Sequence, residues 1–74
     1  MPQLPLISGA KLIQILAKIG YKEVRQRGSH VRLVCPNRNP ITVPNYRLID
    51  RSLVRKILRD AELTAEEFIK LAGK

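Results

Sequence analysis

The sequence is short of several residue types that small proteins use for stability or chemistry. Its 74 residues include one cysteine (Cys35), one histidine (His30), no tryptophan and three tyrosine or phenylalanine residues. A single cysteine excludes an internal disulfide, and so few aromatic side chains leave Leu, Ile and Val to fill the core. No run of about 18 apolar residues and no charged-then-apolar leader is present, so we expect a protein of the reducing cytoplasm without a membrane segment.

Negative charge is scarce as well. Six acidic residues stand against fourteen lysines and arginines, for a net charge of +8 and a pI near 10.4. Residues 1–59 hold twelve of the basic residues and two of the acidic ones, so the positive charge belongs to the body of the fold. This balance predicts a nucleic-acid partner, although many small proteins, ribosomal ones among them, are basic without catalysing anything. An anionic membrane is disfavoured, because the basic residues are not gathered on one amphipathic helix.

The first amphipathic segment predicts a helix over residues 9–19. Residues 1–7, with two prolines, form an irregular lead-in. Ser8 is a good N-cap, and Gly20 is placed to end the helix in a left-handed turn. Four apolar residues share one face at helical spacing. They are Leu12, Ile13, Leu16 and Ile19.

A second helix is predicted after the N-cap Asp50, and a short third one after Thr64. Thr64 and Glu67 have capping-box spacing, and Gly73 ends the last helix. Phe68, Ile69 and Leu71 are available for packing there. The second helix buries Leu53, Val54, Ile57, Leu58 and Ala61. Its outer face is basic, either as a solvated surface or as part of an RNA footprint, and consists of Arg51, Arg55, Lys56 and Arg59.

Between the first two helices, a period of two predicts three strands at 22–26, 29–35 and 41–43. Turn residues at 36–40 precede the third strand, and Pro44 ends it. The second strand has an apolar face and a face that begins with a histidine. The first consists of Val31, Leu33 and Cys35, and the second of His30, Arg32 and Val34.

The hairpin between the first two strands is expected to turn at Arg27 and Gly28. A two-residue loop there would place Val24 opposite Val31 and Arg25 opposite His30, which matches apolar with apolar and polar with polar. A one-residue slip would exchange the two faces, so we expect this register.

The elements together predict a single α+β domain over residues 1–74. A three-stranded antiparallel sheet carries the helices on one face, in the order α-β-β-β-α plus a short C-terminal helix. A sheet covered on one side leaves its other face open to water. We expect that open face to carry His30 with Arg25 and Arg32.

His30 is the strongest candidate for chemistry. An imidazole between cations can accept or donate a proton near neutral pH, which suits phosphate chemistry, and Gly28 allows close backbone approach. Most histidines are structural or solvated, however, so the residues alone leave both readings open. Cys35 is expected to be a small buried strand residue, because no base is positioned to activate it.

Four segments, in this order and spacing, resemble a known family. They are Gly20-Tyr21, then residues 24–30, then residues 41–44, then residues 53–58, and the most specific part is Arg27-Gly28-Ser29-His30 followed after one strand by Thr42-Val43-Pro44. The chain resembles the HicA toxins of toxin–antitoxin systems from about Ser8 to Phe68. The resemblance implies a fold similar to double-stranded RNA-binding domains, endoribonuclease activity on messenger RNA and neutralisation by a cognate HicB-like antitoxin. It also implies that His30, which follows Gly-Ser, is catalytic.

Two positions depart from the family pattern, in which many members carry further histidines or aromatic residues directly after Gly-Ser-His and a histidine two residues after Val-Pro. This chain has Val31 directly after Gly-Ser-His and Tyr46 two residues after Val-Pro. Tyr46 is either a substitute hydrogen-bond donor or a packed aromatic residue. Ser29 either supports the hairpin turn or orients a phosphate.

The number and positions of the acidic residues indicate whether the proposed cleavage would use a metal ion. Glu23 and Asp50 are the only acidic residues in positions 1–59, far apart in sequence, so we expect cleavage without metal or cofactor. In our hypothesis His30 removes the proton of a ribose 2′-hydroxyl, which then attacks the adjacent phosphorus. With one histidine, the leaving group must take its proton from His30 again, from Tyr46, from water or from a cation.

A second hypothesis is a non-catalytic RNA-binding module that uses the same basic face. In either case the expected partners are RNA and an antitoxin protein. RNA contacts are expected from Lys22, Arg25, Arg27, Gly28, Ser29, Arg32 and Tyr46.

Overall fold

Three helices and three strands make up the part of the chain that the computed structural model describes, residues 4–73. The strands form one antiparallel sheet in the order β1-β2-β3. The α+β class and the order of elements are therefore as predicted. The elements are α1 (Gly9–Lys18), β1 (Lys22–Arg27), β2 (His30–Cys35), β3 (Arg38–Pro44), α2 (Arg51–Ala61) and α3 (Ala65–Ala72).

The core lies between the helices and one face of the sheet. Alternate strand residues on that inner face are almost completely buried, namely Val31, Leu33, Ile41 and Val43. The other face of β2 begins with His30, which is exposed, and continues with the half-exposed Arg32. The sheet therefore has a covered face and an open face, because only one face carries the apolar period of two.

The predicted ends of α1 are correct to one residue. The Ser8 hydroxyl accepts a hydrogen bond from the Lys11 backbone N–H at 3.1 Å, and Gly20 follows the helix at φ +108°. Ile15, absent from the predicted apolar face, is fully buried. The reason is that α1 packs against both β3 and α3, so its buried stripe is wider than one contact would require. Of the predicted lead-in, residues 1–3 lie outside the described part, and Ile7 forms an isolated bridge with Ile49.

The predicted hairpin register is wrong by two residues. The loop is Gly28-Ser29 rather than Arg27-Gly28, so Arg27 lies opposite His30 and Arg25 opposite Arg32. Val24 is an extra residue in β1, at a bulge, and its side chain is 57% exposed instead of packed against Val31. Between the loop and the bulge, a two-residue shift keeps each side chain on its face, so Arg25 remains on the open face. Beyond the bulge the faces are exchanged, and Glu23 lies opposite the buried Leu33.

The third strand is longer than predicted. It begins at Arg38, and the turn before it is only Pro36-Asn37, with Asn37 at φ 67°. Asparagine tolerates this left-handed conformation better than most residues, which allows so short a turn. Pro40 lies within the strand and has no N–H to donate to a neighbouring strand. Proline is tolerated there because β3 is at the edge of the described sheet. Pro44 ends the strand as predicted.

The other helix predictions are confirmed. Asp50 caps α2 by accepting from the Ser52 backbone N–H at 3.1 Å. Thr64 and Glu67 form the predicted capping box at the start of α3, and Gly73 is the C-cap. Phe68 of α3 is fully buried, whereas Cys35 is only half-buried.

Candidate active site

A shallow hollow on the open face of the sheet brings the predicted histidine together with basic residues. Its volume is about 150 Å³. We call it the cationic pocket, and its lining residues are Arg25, Arg27, His30, Arg32 and Thr42. The register explains the cluster: Arg27 pairs with His30, and Arg32 pairs with Arg25 on one side and Thr42 on the other. Directly opposed residues of neighbouring strands project to the same face at close range.

The arginines that line the cationic pocket give it a positive charge that no acidic residue of the lining balances. Its lining includes three guanidinium groups and no carboxylate. Like charges held opposite each other across strands destabilise a sheet. This arrangement of arginines therefore does not by itself stabilise the fold. An anion in the hollow would offset that repulsion, and a guanidinium group matches the geometry of a phosphate oxygen pair. The pocket is therefore suited to a phosphate group.

Thr42 is a member of the pocket that the sequence did not assign to the site. Its hydroxyl oxygen accepts a hydrogen bond from Nη1 of Arg32 at 3.1 Å. A hydroxyl that accepts one hydrogen bond still has its own hydrogen to donate. The period of two could have placed Thr42 on the open face, since it lies between the buried Ile41 and Val43.

The hairpin turn holds His30 at the rim of the sheet. Gly28 has φ +57°, which favours glycine, while a Cβ there would meet nothing within 4 Å. The carbonyl of Gly28 accepts from the Gln26 side-chain amide at 3.0 Å, and that of Ser29 accepts from the Asn45 backbone N–H at 2.6 Å. Ser29 thus takes part in the turn through its backbone, which ties the residue before His30 to the segment after β3.

Tyr46 lies beside His30 but does not line the hollow. The two ring centroids are 6.3 Å apart with an interplanar angle of 72°, an edge-to-face arrangement. Tyr46 is 50% exposed, so its ring borders the open face. Lys22 is the predicted contact that the structure places farthest along the strand, opposite Val34 and outside the lining of the pocket.

Two further observations concern the part of the chain from residue 4 to residue 73. Nowhere in it do three His, Cys, Asp or Glu side chains come together as a metal site would require. None of its helices has the length and apolarity needed to cross a membrane.

The fold and the pocket define a class: a small basic α+β protein with an exposed histidine in a cationic hollow on an open sheet face. The sequence model described as the HicA toxin of bacterial toxin–antitoxin systems matches residues 9–63, from the start of α1 to the end of α2 and just beyond. This match covers more than half of the 74 residues and includes the whole cationic pocket, so the chain belongs to the HicA toxin family. Among curated proteins, none matches the chain.

Proposed function

We propose that this HicA-family chain is a metal-independent endoribonuclease that cleaves messenger RNA in the cytoplasm, with His30 as its general base. The observation that carries the proposal is the exposed His30 imidazole in a pocket with three arginines. An imidazole is the side chain best suited to proton transfer near neutral pH, and the arginines supply the charge that attracts a phosphodiester. Neither the proton transfer to His30 nor the attraction of the phosphodiester requires a second histidine.

In the proposed reaction, His30 accepts the proton of a ribose 2′-hydroxyl. The 2′ oxygen then forms a bond to the neighbouring phosphorus, and the bond from phosphorus to the 5′ oxygen breaks. That oxygen takes a proton from water, and His30 later returns its own proton to solvent. The products are a 2′,3′-cyclic phosphate and a free 5′-hydroxyl. With one histidine for proton transfer, turnover should be modest.

The arginines of the cationic pocket would stabilise the charge that builds up on the phosphoryl oxygens. Arg32 is the best oriented of them, because the Thr42 hydroxyl holds its guanidinium at 3.1 Å. Donors that are oriented before the reaction stabilise a transition state more effectively than donors that must reorganise. Arg25 and Arg27, on the neighbouring strand, complete the positive surroundings of the phosphate.

The metal-independent part of the proposal is supported by the donor chemistry of the pocket. Catalytic Mg²⁺ and Ca²⁺ require oxygen ligands, chiefly carboxylates, and the pocket is lined by cations instead. Glu23, the one carboxylate of β1, lies opposite Leu33 and so belongs to the other face of the sheet.

A HicB-like antitoxin is the proposed protein partner, as membership of a toxin–antitoxin family implies. A net charge of +8 favours rapid association with an acidic surface. An acidic partner over the cationic pocket would compete directly with RNA.

The test is cleavage of single-stranded RNA in EDTA by the native protein and by His30→Ala. We expect native cleavage with cyclic-phosphate ends, a loss of about 10²- to 10⁴-fold in the variant, and unchanged RNA binding. His30→Asn, which keeps a polar exposed side chain, serves as a second variant with the same expected loss. Equal trace cleavage by all three proteins would contradict the proposal and favour a non-catalytic RNA-binding module.

A further inference from the structure

The segment 44–46, which leaves β3 and carries Tyr46, is attached to the hairpin on one side. Pro44 pairs with His30 at the end of the β2–β3 ladder, and the Asn45 backbone N–H donates to the Ser29 carbonyl at 2.6 Å. The segment therefore passes directly beside the proposed base. Its position decides where the Tyr46 ring lies relative to the imidazole.

The other side of the same segment lies against the first residue of α1. The Gly9 backbone N–H donates to the Tyr46 carbonyl at 2.8 Å. A Cβ added at Gly9 would lie 2.2 Å from the Pro44 carbonyl oxygen, 2.7 Å from the Asn45 Cα and 3.0 Å from the Tyr46 nitrogen. All three are backbone atoms, so no side-chain rotation can relieve these contacts. Any side chain at position 9 must displace the segment or the helix.

The backbone conformation of Gly9 does not account for a glycine at this position. The glycines with positive φ among the described residues are Gly20 and Gly28. Gly9 is buried and is the first residue of α1, directly after the N-cap Ser8, a position that does not itself require glycine. The close passage of residues 44–46 is thus the feature that requires the missing side chain.

We propose that Gly9 is a positioning residue for the active site: by lacking a side chain, it lets residues 44–46 pass close enough to hold the Tyr46 ring edge-on to His30. The proposal rests on the proposed ribonuclease function for its consequence on rate. The claim about position rests on the backbone contacts alone. The claim about position and the claim about rate can therefore fail independently of each other.

The first test is Gly9→Ala, with Gly73→Ala as the matched control. A Cβ at Gly73 would lie 3.5 Å from its nearest neighbour, an ordinary contact, so the control adds the same methyl group without displacing anything. His30 is the only histidine, and its ring resonances are therefore unambiguous in a proton NMR spectrum. We expect the NOE between the His30 and Tyr46 rings to weaken or vanish in Gly9→Ala and to persist in Gly73→Ala. An unchanged NOE in a folded Gly9→Ala protein would overturn the proposal.

The rate measurement uses the same two variants on single-stranded RNA. We expect Gly9→Ala to lower kcat by about 10- to 100-fold, with KM changed much less, and Gly73→Ala to keep the native rate. Lost cleavage with an intact ring NOE would overturn the positioning role. If the native protein cleaves nothing, the proposed function fails while the NOE comparison still decides the structural claim.

If Gly9→Ala does not fold, as circular dichroism would show, the native protein answers the same question. Hydrogen exchange of the Gly9 amide should be slow, because that amide donates to Tyr46, and it should accompany a detectable NOE between the rings. An amide at Gly9 that exchanges without protection while the NOE persists would overturn the proposal.

Discussion

At the scale of single residues, the hydrogen bond between Arg32 and Thr42 gives the cationic pocket its one fixed guanidinium group. A free arginine side chain has many rotamers, and ordering it costs free energy at the moment of binding. The Thr42 hydroxyl imposes part of that order beforehand, since it accepts from Nη1 of Arg32. The contribution should therefore appear in phosphate binding and cleavage more than in stability.

Substituting Thr42→Val removes the acceptor but keeps a β-branched side chain suited to the strand. We expect kcat/KM for RNA cleavage to fall by about 3- to 10-fold, the equivalent of one net hydrogen bond. The melting temperature should change little, because Thr42 is exposed. Thr42→Ser, which retains the hydroxyl, should cleave at close to the native rate. A loss in Thr42→Ser together with a native rate in Thr42→Val would show that the methyl group matters and the hydrogen bond does not.

At the scale of elements, the cap of α2 predicts how stability depends on pH. Hydrogen bonds from the Ser52 hydroxyl and backbone N–H lower the pKa of Asp50 below its ordinary value of 3.8. A carboxyl group whose pKa is lower in the folded state stabilises the fold above its unfolded pKa, and the contribution disappears as the pH falls through the folded pKa. The stabilisation by Asp50 is therefore complete at neutral pH and is lost below about pH 4.

Asp50→Asn separates the cap from its charge. Asparagine is a good N-cap without a titrating group, so the melting temperature at pH 7 should change little. Between about pH 5 and pH 2 the melting temperature of the variant should fall less steeply than that of the native protein. Asp50→Ala, which removes the cap, should lower the melting temperature at pH 7 by about 4 to 8 °C. Parallel acid profiles for native protein and Asp50→Asn would contradict this account.

The last helix lies beyond the region matched by the family, yet it supplies the one phenylalanine of the core. Phe68 is fully buried among the residues of the sheet and of α1 and α2. Phe68→Ala should cost about 3–5 kcal/mol, which is comparable to the total stability of a domain of this size. We expect circular dichroism to show a largely unfolded protein, and Phe68→Leu to keep a cooperative transition at lower temperature. A melting temperature close to native in Phe68→Ala would show that α3 is dispensable.

Much of the fold could be predicted because each helix has its own cap signal and each strand its own period of two. The capping residues Ser8, Asp50 and Thr64 all cap the helices they were predicted to cap. The hairpin register could not be predicted, because Arg27-Gly28 and Gly28-Ser29 both form acceptable two-residue loops. The bulge at Val24 could not be predicted either, because an apolar residue there fits the predicted match with Val31, whereas its side chain is 57% exposed.

The proposed site was predictable only where the sequence pattern is local. His30, Arg25 and Arg32 follow from alternation on the strands, and the structure places all three in one hollow. The contact of Thr42 with Arg32 joins residues ten positions apart, and the contact of Gly9 with Tyr46 joins residues more than thirty positions apart. The period of two could place Thr42 on the open face, but no sequence pattern predicts its hydrogen bond to Arg32 or the contact of Gly9 with residues 44–46, so these contacts become visible only in three dimensions.

At the scale of the whole molecule, the positive charge should make RNA binding strongly dependent on salt. Each phosphate neutralised on a single strand contributes about 0.7 to the slope of log affinity against log salt. Arg25→Gln should therefore reduce the slope by about 0.7 and weaken binding to all sequences alike. Lys70→Gln changes the net charge equally, but Lys70 lies on α3, which packs against α1, and it does not line the cationic pocket, so the slope for this variant should stay native. Equal slopes for the two variants would mean that net charge alone governs binding.

Strand β1 has a consequence for how the free protein behaves at high concentration. All six of its residues are exposed, and within residues 4–73 it pairs with β2 alone, which leaves it as an edge strand of the described sheet. Four charged side chains and a bulge at Val24 make that edge a poor template for aggregation. The arginines of β1 would thus have two uses, the proposed contact with RNA and protection against self-association. A variant without these two arginines should therefore self-associate more readily at high concentration than the native protein.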